Sequence, residues 1–219
     1  MTINTDFTLK KIKNSQSEKN SHFVDIFLRK ICEDSPLHTD KKIIRAKLVI
    51  IGRTYAASLE RTNNDDIYHD DIYKTTIDKM YGGEFDKQLS ELKDIHLPLA
   101  YEYSDEDLKT VSKILKVHSS LTDIFKEASG IEKISLASKY LYFHFPDLYF
   151  IYDSRSSKAI SNSTKPVGLD YSFSDCNIKY AKFFLRVLSL RNKIYYQQKI
   201  QLTPMQMDNL FLERQSQTI

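Results

Sequence analysis

Read from its apolar positions, the chain is a succession of helices. From His22 the run HFVDIFLRKICED places Phe23, Ile26, Phe27 and Ile31 on one stripe and breaks at Ser35-Pro36. Thr39-Asp40 then opens a helix predicted over residues 41 to 62, with Ile43, Ile44, Leu48, Ile51, Tyr55 and Leu59 forming a broad face suited to the centre of a domain. Gly52 inside that run costs about 1 kcal/mol relative to alanine, so it predicts a close crossing or a bend. After an acidic, tyrosine-bearing loop a short helix ends at Gly82-Gly83. Ser104 and Asp107 read as a capping box ahead of a long amphipathic helix carrying Leu108, Val111, Ile114, Leu115, Leu121 and Phe125, which feeds directly into Gly130.

The second half repeats the pattern. Ser135, Leu136, Ala137, Tyr140, Leu141 and Phe145 recur at helical spacing, and Pro146 must stop that helix. DLYFIYD then forms an apolar connector up to Asp153, where Ser154 and Arg155 start a segment ending in Ala159 and Ile160. SNSTKPVGLD, residues 161 to 170, reads as an exposed loop. The next long helix is predicted to bury Ile178, Ala181, Phe184, Leu185 and Leu188 and to turn Lys179, Lys182, Arg186, Arg191 and Lys193 outward. Thr203-Pro204 opens the last helix, whose Met205, Met207, Leu210 and Phe211 make a docking face. Residues 1 to 20 are polar and predict a mobile arm or a loosely docked strand, leaving 21 to 219 as a single domain.

Composition supports a mainly α fold. A chain of 219 residues buries about 70 per cent of its unfolded surface, and with only five Gly and five Pro it has too few turn formers for a β fold of that size. Cys32 and Cys176 lie too far apart for a zinc spacing or a disulfide framework, which predicts reduced thiols and a cytoplasmic setting. Neither an 18-residue apolar run nor a signal pattern occurs, so no membrane partner is expected. The net charge of +3 permits nucleic-acid binding without arguing for it. Asp66, Asp70 and Asp71 read as a solvated turn rather than a cation site, six histidines lack metal-ligand spacing, and no phosphate-binding glycine motif is present. No metal and no cofactor are expected.

Residues 130 to 160, GIEKISLASKYLYFHFPDLYFIYDSRSSKAI, join a turn glycine, a helix and an acid at the start of the next helix. This order resembles the helix-hairpin-helix DNA glycosylase superfamily, in particular its 8-oxoguanine glycosylase-like branch. The resemblance implies a two-lobed helical fold with a cleft, puts Asp153 at the catalytic aspartate and Ser135 where bifunctional members carry the Schiff-base lysine. Monofunctional members lack that lysine, so the activity implied is base excision without strand cleavage, on a DNA partner. Lys133 and Lys139 flank position 135 and take its place only if the register slips. The usual Gly-hydrophobic-Gly hairpin is reduced to Gly130, Ile131, Glu132, and Glu132 repels phosphate.

Such an enzyme flips a base out and stabilises positive charge on the sugar while water reaches C1′, and one carboxylate serves both needs. Arg53, Tyr55, Arg61, Gly130, Lys133, Lys139, Arg155 and Lys158 are the candidate nucleic-acid contacts, holding phosphates and stacking a base. A plainer account of the same residues makes Asp153 an N-cap, pairs Arg53 with Glu60 and Arg155 with Asp153, and leaves Tyr55 in the core. On that account the protein is a non-catalytic module of the same fold with a protein or nucleic-acid partner, of the kind a genome-defence or mobile-element system would use.

Overall fold

The computed structural model describes residues 9–15, 23–62, 68–163 and 173–215, and among them every regular element is helical. In chain order these are α1 (Leu9–Ser15), α2 (Phe23–Asp34), α3 (Lys41–Thr54), α4 (His69–Met80), α5 (Glu84–Ser90), α6 (Asp105–Ser129), α7 (Ile134–His144), α8 (Ser154–Ser163), α9 (Ile178–Gln198) and α10 (Pro204–Gln215). The mainly α class read from the composition is what the chain adopts. Asp66 and residues 164–170 of the predicted loop lie outside the described residues, while 161–163, expected as loop, continue α8.

Local chemistry sets most boundaries. Asp40 caps α3 by accepting from the backbone N–H groups of Lys42 and Ile43. The capping box at α6 forms as expected, with Asp107 N–H donating to Ser104 Oγ at 3.2 Å and Ser104 N–H to Asp107 Oδ2 at 2.9 Å. Thr203 and Gln206 make the same reciprocal pair at the start of α10, ahead of Pro204 in the first turn. Gly130 ends α6 at φ 73°, a left-handed position that suits glycine. α7 stops at His144, and the connector after it is buried through Leu148, Tyr149 and Phe150. The buried hydroxyls of Tyr149 and of Tyr180 on α9 donate to the carbonyls of Ile114 and Phe150, so neither hydroxyl meets an unsatisfied polar cost.

Four expectations are corrected. The helix predicted over 41 to 62 ends at Thr54, because the chain reverses at Ala56 (φ 48°) and runs back over Gly52. A Cβ on Gly52 would meet Ser58 Cα at 3.3 Å, so the glycine permits this close return. The stripe on α2 faces outward: Phe23 is 80% and Ile26 60% exposed, while Asp25, Leu28 and Cys32 are buried. On α9, Arg191 is buried and donates through Nε to the Leu202 carbonyl at 2.9 Å, whereas Ile178 is exposed. The arm expected over residues 1 to 20 contains α1, whose fully buried Ile12 docks it beside α10.

The buried side chains form one continuous cluster. Within it α2 to α7 pack mainly among themselves, and α1, α8, α9 and α10 form a second neighbourhood. His118 of α6 stacks on Tyr180 of α9 with ring centroids 3.6 Å apart and ties the two together.

Candidate functional site

Where these neighbourhoods meet, a cavity of about 1020 Å³ is lined by Val24 and Asp25 of α2, Thr54 to Ala56 at the end of α3, one face of α7, the connector into α8, and Met205, Asp208, Asn209 and Leu212 of α10. α7 contributes Ser135, Lys139, Tyr142 and Phe143, which share a face because they follow helical spacing. The volume is ample for a nucleotide-sized ligand.

Asp153 is the N-cap of α8. Its Oδ1 accepts from Ser156 N–H at 2.7 Å and from Ser156 Oγ at 3.0 Å, and its own N–H donates back to that hydroxyl at 3.1 Å. Its Oδ2 lies 3.5 Å from Arg155 Nη2. Burial by itself would raise the carboxyl, but the Ser156 hydrogen bonds and the charges of Lys139 and Arg155 outweigh it and hold Asp153 below the ordinary range. The acid is therefore ionised at neutral pH, and it lines the cavity. Capping and exposure to a ligand are both properties of this one residue.

Lys139 is buried at 5% exposure and donates from Nζ to Ser135 Oγ at 2.6 Å. The i, i+4 reach along α7 thus brings an amine to position 135 without any slip in register. Burial pushes this ammonium below the ordinary lysine range, against the attraction of Asp153 and Asp208. Ser138, one residue before it, fixes the helix to the connector by accepting from Tyr152 N–H at 3.0 Å.

Asp208 is the residue the sequence reading missed. It sits on α10 between Met207 and Leu210, both fully buried, so an acid at a position set among core side chains was the available signal. The residue keeps some exposure to the cavity, yet its Oδ1 is shielded from solvent and has no hydrogen-bond partner among the described residues. Burial, reinforced by the negative Asp153, pushes its carboxyl up to about 7, with Lys139 and Arg155 opposing.

The predicted contacts divide. Tyr55, Ser135, Lys139, Asp153 and Arg155 line the cavity; Arg53, Arg61, Gly130, Lys133 and Lys158 do not. Tyr55 packs 5.6 Å from Phe143 and donates its hydroxyl to Asp25. Arg53 is engaged by both carboxylate oxygens of Glu60 at 2.8 Å, the pairing of the plainer account. Lys133 is corrected from a phosphate contact to an internal anchor: it is buried, and its Nζ donates to the carbonyls of Ser58 and Arg61, holding the reversal after α3. Burial lowers it to about 8. Gly130 serves the turn, where Lys126 and Glu132 lie 3.3 Å apart. Lys158 is exposed on α8. Among the described residues no three metal-ligating side chains cluster, and no helix is long and apolar enough to cross a membrane.

Comparison of the chain with protein-family models, with curated proteins and with solved structures finds no match in any of the three.

Proposed function

We propose that the protein binds nucleic acid and hydrolyses an N-glycosidic bond, releasing a base in the manner of a helix-hairpin-helix glycosylase that leaves an abasic site. The observation that carries this reading is Asp153, an ionised carboxylate lining a cavity that also holds the buried ammonium of Lys139. Burying an ionisable group is costly unless it is paired, and three such groups, Asp153, Lys139 and Asp208, line this one cavity. The part-exposed rings of Tyr55 and Tyr152 supply aromatic surface against which an extruded base can stack, backed by the buried Tyr142 and Phe143. Asp153 faces the positive charge developing on the sugar and orients the attacking water, while Arg155, 61% exposed at the start of α8, meets a phosphate with Lys158 beyond it.

A second reading, the non-catalytic module, is favoured by the charge of the walls. Asp25 and Asp153 balance Lys139 and Arg155 in the cavity, with Asp208 held near its midpoint, and the basic wall expected from Arg53, Arg61 and Lys133 does not assemble there. Single-turnover excision on oligonucleotides carrying a panel of modified bases separates the two. Asp153→Asn should lose about 100-fold or more in rate with little change in affinity, because the carboxylate acts on the transition state. Arg155→Ala should instead weaken binding and lower its salt slope by about one unit. A borohydride-trapped adduct that disappears in Lys139→Ala would make the enzyme bifunctional. Wild-type protein that neither excises nor binds any nucleic acid in a salt-dependent way would leave the module reading standing.

A further inference from the structure

Resting on the excision reading, we propose that Asp208 is the general acid of this cavity, delivering a proton to the departing base while Asp153 serves the sugar and the water. Both carboxylates and Lys139 line the same space from three different elements, α10, the start of α8 and α7. Asp153 spends one oxygen on its helix cap and faces Arg155 with the other. Asp208 caps nothing, and its shielded Oδ1 has no partner among the described residues. A carboxylate left in that state is expensive, whereas a carboxylic acid there is neutral and has a proton to give. Two carboxyl groups whose surroundings push them in opposite directions define an acid and a base within one site.

The charged groups acting on Asp208 are Asp153, which favours the protonated form, and Lys139 and Arg155, which oppose it. α1, packed on α10, carries Lys10, Lys11 and Lys13, α8 adds Lys158, and α2 brings Asp25 to the cavity and Arg29 to Met205. With burial added, the acid is poised near neutrality, where general acid catalysis is most effective.

The step balances as a hydrolysis. The C1′–N bond breaks with its electron pair going to the base, whose ring nitrogen takes the proton from Asp208. Water forms the new C1′–O bond and gives its proton to Asp153. Exchange with solvent then returns the proton to Asp208 and removes the one on Asp153.

Leaving-group charge supplies the test. Hypoxanthine and 8-oxoguanine depart more easily when protonated, whereas 7-methylguanine is already cationic and needs no proton. In single-turnover assays on duplex oligonucleotides carrying each base, Asp208→Asn should slow release of those of the first two that the wild type excises by about 100-fold or more, and that of 7-methylguanine by only a few-fold. The alkaline limb of the wild-type pH profile, centred near 7, should vanish in the variant. An equal loss on all three bases, or no loss, overturns the assignment while leaving excision intact; a wild type that releases none of them overturns both. As a check that needs no variant, carboxyl NMR of the full chain should show Asp208 titrating near pH 7, and a midpoint below 5 excludes the role.

Discussion

Helix α7 carries two buried polar clusters on two of its faces, and they are built on opposite principles. On one face Tyr140 meets His38, whose Nε2 lies 2.8 Å from the Tyr140 hydroxyl, while Asp86 accepts from His38 N–H at 2.9 Å and holds its Nδ1. His144 stacks on both His38 and Tyr140, and Lys47 reaches its Nε2 at 3.3 Å and the Ser35 carbonyl as well. His38 and Tyr140 are wholly buried, and each polar atom of the trio His38, Asp86 and Tyr140 named here has a partner. On another face Ser135 and Lys139 open onto the cavity, and Asp208 leaves an oxygen unpaired. The first cluster resembles a catalytic constellation in composition, yet His38, Tyr140 and Lys47 at its centre are buried; the second lines a cavity and keeps an oxygen of Asp208 without a partner among the described residues. Satisfaction and access, more than residue type, separate polar groups that specify a fold from those free to do chemistry.

The largest way to strain this contrast is to break the closed cluster. Asp86→Ala strips the partner from both His38 N–H and its ring, leaving buried donors unpaired, and should cost about 3–5 kcal/mol in urea titration. A loss under about 1 kcal/mol would mean that the cluster is not the fastening it looks like.

Acid should strain it next. Burial lowers His38 and His118, and does so well below the ordinary range for His144; His118 falls to about 3. Each stays neutral in the folded protein where the unfolded chain already takes up a proton, so stability is full above the unfolded value of about 6.5 and falls as pH drops below it. Each histidine adds a slope of up to about 1.4 kcal/mol per pH unit, and the three together up to about 4. The open cluster has the reverse sign. Asp208 holds its proton more tightly folded than unfolded, so its contribution is full below about pH 4 and lost as pH rises through about 7. Thermal unfolding from pH 4 to 8 should show the acid-side loss, and Asp208→Asn should stabilise the protein at pH 8 by on the order of 2 kcal/mol, as expected where a site is kept at the expense of stability.

The two clusters were also unequally legible in the sequence. Helix starts at Ser104 and Thr203 and the stop before Pro146 follow from short-range chemistry and stand out in the letters. The end of α3 does not, because the reversal uses Ala56 in a left-handed conformation with no glycine, proline or asparagine at that residue, and its anchor, Lys133, lies 72 residues beyond Arg61. The outward face of α2 has the same origin: periodicity fixes which residues share a stripe, and only the neighbouring helices decide which stripe is covered. In the site, Asp153 and Ser135 were visible because they lie within one continuous segment. Asp208 arrives from α10 and was hidden within a methionine-bearing face, and Lys139 reads as a flanking charge until the helix folds its amine back to Ser135.

The smallest perturbation is also the most discriminating for Asp153. Ser156→Ala removes the hydroxyl that donates to Asp153 Oδ1 and accepts its N–H, while the backbone N–H of residue 156 still caps the carboxylate. The cost to stability should be about 1 kcal/mol, the ordinary value for a capping contact. With one hydrogen bond to the ionised form lost, the Asp153 carboxyl should move up from its depressed position, toward the ordinary range. If Asp153 must be ionised for excision, the acid limb of the pH–rate profile has to move up with it, and the rate at neutral pH should change little. A variant that loses the 1 kcal/mol while the acid limb stays in place would assign the carboxylate to the helix cap alone.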